Sequence, residues 1–129
     1  QERRSTPYTQ SIQCMYALNE ALDEYIEAGG LKQRQNIYKA RMKFACDFLE
    51  DLNIVSFLKK RDSSCVLRSF CIPKSFTYEV IHDYLKKRGF IIYSGQGYLK
   101  EQLFRLSFMG NISRGDMEDL KLAFQSLFT

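Results

Sequence analysis

Three observations predict an α+β fold for this chain. Two long stretches with apolar residues at helical spacing open it, short apolar runs separated by turn residues fill its middle, and a third helical stretch closes it. Mixed helices and short strands with tight returns favour a mostly antiparallel sheet with helices packed on one face. The expected order is α-α-β-β-α-β-β-α.

The first helix carries Ile12, Met15, Leu18, Leu22, Tyr25 and Ile26 on one stripe and stops at Gly29 and Gly30. A second begins near Leu31 and runs through Ile37, Tyr38, Met42, Ala45, Phe48, Leu49 and Leu52. After Asn53 the pattern shortens to Ile54–Leu58 and Cys65–Ile72, two strands separated by a charged, turn-prone segment. Pro73 ends the second of them, and Ser75 or Thr77 can cap a helix holding Ile81, Tyr84 and Leu85. Gly89 stops that helix before Phe90–Tyr93 extends again, and a strand follows over Leu103–Phe108. Ser113 to Asp116 reads as a capping box with Asp in place of Glu, opening a last helix with Met117, Leu120, Phe124, Leu127 and Phe128 inward.

The composition is that of a globular domain: 129 residues, 45% hydrophobic, with ten Phe and eight Tyr. No apolar stretch approaches the roughly 20 residues that span a bilayer, so a membrane role is not expected. The net charge of +4 comes from dispersed residues and argues little for nucleic acid. Cys14, Cys46, Cys65 and Cys71 match neither a zinc knuckle nor a redox pair, and are expected as small buried hydrophobes in a reducing cytoplasm. The lone His82 is expected at or near the surface, not as a metal ligand. The chain opens on Gln1 with no initiator Met and reads as a fragment, with residues 1–30 forming a linker and long helix and 31–129 a small α+β domain.

Arg105 stands out within Leu103, Phe104, Leu106, Phe108 and Met109. A guanidinium carried on a strand that buries a face needs an anionic partner, and a substrate carboxylate or phosphonate is one candidate. An internal ion pair or a solvent-facing position is the plainer alternative.

These pieces meet a known pattern. Ser5-Thr-Pro-Tyr-Thr before the long helix, Glu27-Ala-Gly-Gly-Leu at its end, Arg34 and Tyr38 in the next helix, Arg88-Gly-Phe-Ile-Ile-Tyr-Ser-Gly95, Phe104-Arg-Leu, Met109-Gly-Asn-Ile and Asp116 follow one another in a recognisable order. The chain resembles the small C-terminal domain of class V pyridoxal-phosphate aminotransferases of fold type I. Within that family the likeness is strongest to members that take the amino group of 2-aminoethylphosphonate to pyruvate. The resemblance implies a cytoplasmic homodimer acting by ping-pong amino transfer on a small-molecule donor and pyruvate. It implies that Arg105 holds the acidic group of the substrates, that Gly95 lies in a turn placing backbone near them, and that Thr6 reaches the cofactor phosphate of the neighbouring subunit. For Gly95 the alternative is a turn that needs positive φ, and for Thr6 a helix-entry hydroxyl beside Pro7.

The resemblance also locates the Schiff-base lysine outside this chain. Lys59, Lys60, Lys86 and Lys87 stand in solvated basic pairs, unlike an amine of lowered pKa. The chain alone is therefore expected neither to hold pyridoxal phosphate stably nor to transaminate. The family's Arg-Ile-Gly-Asn reads here Arg105-Leu106-Ser107-Phe108, which leaves open an alanine, serine or other ω-amino acid donor and a glyoxylate or pyruvate type of reaction. A free-standing regulatory or interaction domain is a further alternative. An RNA-binding module is disfavoured because Lys87 to Tyr93 follows a helix, where that module has a strand and loop.

Overall fold

The computed structural model describes residues 8–128, and its internal contacts divide the chain into two compact units between Gln35 and Asn36. The first unit is dominated by α1, Ile12–Glu27. Its apolar stripe forms as the spacing predicts, yet it buries no residue: Ile12, Met15, Leu18, Leu22 and Ile26 all stay about half exposed or more. The Arg34 guanidinium lies 5.0 Å from the centre of the Tyr25 ring, a cation–π contact within this unit.

The second unit holds the core. α2, Gly30–Asp51, buries Met42, Ala45, Phe48 and Leu49 along its later turns. Asn53 ends it in the left-handed conformation, φ 59°, with the Ile54 amide donating back to the Leu49 carbonyl. β1 is Leu67–Cys71, β2 is Tyr93–Ser94 and β3 is Leu103–Ser107. Their order is β1-β3-β2, and both outer strands run antiparallel to β3. β1 and β2 therefore run parallel to each other, joined by a crossover that contains α3, Tyr78–Lys86.

Four strands were expected and, among the described residues, three form. The segment 54–58 contributes one bridge, Ser56 to Phe70, with the Phe57 amide on the Ser69 carbonyl and the Cys71 amide on the Val55 carbonyl. Only Ile54 of that run is buried, while Val55, Phe57 and Leu58 stay exposed, so little apolar burial holds it to the sheet edge.

Strand register sorts the side chains. Residues opposite each other on antiparallel strands point the same way, so Phe70 and Phe104 share a face with Arg68 and Leu106, while Ser69, Arg105 and Tyr93 share the other. α2, α3 and α4 (Arg114–Phe128) cover the first face, as the expected single helical layer requires. Phe70 stacks on Phe104 with centroids 5.6 Å apart, and Phe104 on Phe124 at 5.9 Å. Burying each of these rings is worth about 1.5–3 kcal/mol.

The caps follow the sequence. Thr77 Oγ1 accepts from the Val80 amide at 3.4 Å. Gly89, at φ 88°, closes α3 with its amide on the Lys86 carbonyl and the Phe90 amide on the Leu85 carbonyl. At α4 the Ser113 amide and hydroxyl both donate to Asp116 Oδ2, at 2.7 and 2.8 Å, and the Asp116 amide donates to Ser113 Oγ at 3.1 Å. The expected capping box is present with its Asp variant. The cysteines depart from expectation: all four are free thiols, but Cys14 is exposed and Cys46, Cys65 and Cys71 are half-buried. His82 is half-buried against Tyr78 with Nδ1 2.9 Å from Asp83 Oδ1, and no cluster of three metal-binding side chains occurs among the described residues.

Candidate functional site

Among the described residues β3 is the only strand with a neighbour on both sides, and Arg105 is its middle residue. The register sets Arg105 between Ser69 and Tyr93, on the sheet face turned away from the helices. Leu103 on that face is buried, Arg105 and Ser69 are half-buried, and Tyr93 is exposed. Arg105 Nε donates to the Ser94 carbonyl at 2.8 Å. That bond orients the guanidinium, and no Asp or Glu among the described residues pairs with it. Arg105 is thus neither ion-paired among the described residues nor fully exposed: it lies half-buried on the sheet face turned away from the helices.

The surroundings are polar and partly dry. Tyr78 donates its hydroxyl to the Ile92 carbonyl at 2.9 Å. Burial pushes the Tyr78 phenol up, against smaller downward pulls from the Ser94 backbone and the Arg105 guanidinium. The phenol is thus neutral at pH 7 and within electrostatic reach of Arg105. A guanidinium fixed through Nε, with its terminal nitrogens uncommitted to any carboxylate, is suited to the two oxygens of a carboxylate or phosphonate.

Gly95 directly follows the residue that holds Arg105. It is buried, and its amide donates to the Leu103 carbonyl at 2.8 Å, extending the β2–β3 pairing. The expectation that a turn here needs positive φ is corrected: Gly95 does not have it, and Gly97 does, at 55°. Glycine is required at 95 because a Cβ would lie 2.2 Å from the Leu99 carbonyl oxygen. Backbone packs on backbone there, which holds the short turn Gly97–Leu99 against the strand end. Thr6 lies outside the described residues.

The two substitutions beside Arg105 separate in space. Phe108 belongs to the helix-side core, whereas Ser107 is exposed on the Arg105 face, so only Ser107 alters that face.

Sequence reasoning missed two arginines. Arg41 of α2 donates through Nη1 to the Phe108 and Gly110 carbonyls, at 3.0 and 2.9 Å, and through Nη2 to the Ile112 carbonyl at 2.6 Å. It clasps the loop that leaves β3. Arg68 reaches from β1 to Cys46 on α2. Strand alternation marks Arg68, since Phe70 two residues on faces the core.

No protein-family model matches the chain. The 2-aminoethylphosphonate–pyruvate transaminase of Pseudomonas fluorescens is 31% identical over 117 residues, covering 89% of this chain and 31% of the relative. That of Bacillus cereus is 27% identical over 114 residues, covering 88% and 31%. This chain is homologous to the C-terminal part of aminotransferases. It spans about a third of the length of the curated relatives it matches. The alanine–glyoxylate aminotransferase structure from Nostoc sp. superposes with a TM-score of 0.85 at 22% identity, over 100% of this chain and 34% of that one, which establishes the shared fold. The aminotransferase homologues are pyridoxal-phosphate enzymes of class V. Among the described residues every lysine is exposed except Lys121, which is half-buried with its ammonium 5.8 Å from the Phe44 ring centre.

Proposed function

We propose that this chain is the substrate-anchoring C-terminal part of a pyridoxal-phosphate transaminase that moves the amino group of 2-aminoethylphosphonate to pyruvate, yielding phosphonoacetaldehyde and alanine. The observation that carries the reading is Arg105: central in the sheet, oriented by Ser94, and without an acidic partner among the described residues. The two relatives named above support the donor and acceptor. In this reading residues 1–30 lead from a larger domain into the small domain 31–129, and the parent is a cytoplasmic homodimer.

Arg105 binds the phosphonate of the donor and then the carboxylate of pyruvate, fixing the reacting carbon at one place for both half-reactions. Gly95 keeps the backbone close behind Ser94, so the carbonyl that orients the guanidinium cannot drift. Thr6 contributes to the cofactor phosphate across the dimer. Pyridoxal phosphate supplies the electron sink, and its lysine belongs to the larger domain. Ser107 on the anchor's face supports a second reading, in which an α-amino acid such as alanine or serine is the donor and glyoxylate the acceptor.

The test is Arg105→Ala in the full-length parent. Losing two charge-assisted bonds of about 1.5 kcal/mol each lowers kcat/KM for both substrates about 150-fold, mostly through KM, with the cofactor's absorbance retained. Arg105→Lys recovers a minority of that loss. An unchanged KM for both substrates refutes the anchoring role.

A further inference from the structure

A second arginine lies on the helix side of the sheet, opposite to Arg105. Arg68 on β1 is half-buried, and its Nε is shut off from solvent with no hydrogen-bond partner. Its Nη1 donates to Cys46 Sγ at 2.9 Å, and sulfur is a weak acceptor. Burial is the largest influence on the Cys46 thiol and pushes it up, while Arg68 pulls it down by less. The sulfur is therefore a neutral thiol at pH 7. Arg68 thus holds a partly desolvated positive charge against a neutral partner, an arrangement that an anion would complete.

The charge is not sealed in. It borders a cleft of ≈ 660 Å³ between the later turns of α2 and the segment 54–68, a volume within the range of small-ligand sites. Met42, Ile54 and Phe70 lie at its apolar floor, each with no more than 2% of its surface exposed. Lys39, Lys43, Lys60 and Arg68 stand against Asp47 and Glu50, four cations to two anions, and Lys43 already pairs with Asp47. That leaves a modest positive excess. The cleft flanks the carbonyl end of α2, where the helix dipole is negative, which weakens binding of any anion and weakens that of a dianion about twice as much as that of a single charge.

We propose that this cleft binds a small organic monocarboxylate, its head on the Arg68 guanidinium and its apolar body against Met42, Ile54 and Phe70. The planar fork of Arg68 matches two carboxylate oxygens, and Lys60 at the mouth adds attraction without burial. The site stands whether or not Arg105 anchors a transaminase substrate.

The test follows the arginine Nε–H resonances of the ¹⁵N-labelled chain by NMR while sodium benzoate is added, against sodium chloride at equal ionic strength. Benzoate is expected to move the Arg68 signal saturably and chloride to leave it in place. Lys60→Gln, an exposed change that keeps the fold, is expected to weaken benzoate about two- to five-fold, the range of a solvated charge. Sodium phosphate is expected to act no more strongly than chloride. A linear, unsaturable Arg68 response to benzoate overturns the proposal. So does a saturable response to phosphate alone. Movement of the Arg105 signal with Arg68 unmoved overturns this site while leaving the reading of Arg105 intact.

Discussion

Replacing Arg41 with Gln removes the clasp on the loop that follows β3. Of its three bonds, those to the Phe108 and Ile112 carbonyls are partly buried and the one to the Gly110 carbonyl is exposed. Hydrogen bonds from a charged donor are worth about 1.5–3 kcal/mol each, and the low end applies to a half-exposed side chain. Counting the two partly buried bonds at about 1.5 kcal/mol and the exposed one near zero gives a loss of about 3 kcal/mol. For a chain of this size that is a fall of roughly 10–15 °C in Tm. Urea unfolding followed by circular dichroism measures it, with the slope m unchanged. Arg41→Lys is the informative companion, because a single ammonium cannot span three carbonyls in the planar fork's arrangement. It should restore less than half of the loss. A change below about 0.5 kcal/mol for Arg41→Gln, the scale of an ordinary surface substitution, refutes the clasp as a stabilising device.

Two further predictions use the same assay. Gly95→Ala places a Cβ 2.2 Å from the backbone oxygen of Leu99, which cannot yield as a side-chain tip would, so a loss of about 3 kcal/mol or more is expected. Gly97→Ala meets no neighbour but must hold φ at 55°, and should cost only about 1 kcal/mol; equal losses for the two would refute the close-approach account. In the α4 cap, the Ser113 hydroxyl first and its backbone amide second hold the Asp116 carboxyl below its usual pKa. Because the folded pKa is depressed, the cap's contribution is complete above the ordinary Asp pKa of about 3.9 and disappears as pH falls through the lower folded value. Ser113→Ala should therefore lower Tm at pH 6 by more than at pH 2.5, and an equal loss at both would contradict the linkage.

Local chemistry was the legible part of this chain. Gly89, Thr77 and the Ser113–Asp116 pair announce helix ends within four residues of sequence, and the stripes of α2 and α4 announce which sides go inward. Arg105 was legible as an oddity, a cation in an apolar strand, and the structure shows how it is oriented. Most of what failed depended on partners distant in the chain. The run 54–58 has strand composition, but whether it becomes a strand rests on what the edge of β1 offers it, and that is one bridge. Arg41 meets carbonyls 67 to 71 residues away, and no spacing rule announces such contacts. At Gly95 the sequence signalled the need for glycine but not its reason, since a steric approach by Leu99 and a positive φ leave the same letter.

The order β1-β3-β2 also bears on how the chain is made. The strand that pairs with both others is the last of the three to be synthesised, and Leu67 meets Ser107 across 40 intervening steps of chain (107 − 67). In the finished sheet β1 and β2 stand two strand spacings apart, about 10 Å, so until β3 arrives they share no ladder with each other. A nascent chain halted before Leu103 would thus carry two unpaired edges, inviting association with other chains, and would gain them as interior seams in a single late step. Arg105 arrives on that same strand, so its fixed position against the Ser94 carbonyl cannot precede the completed sheet.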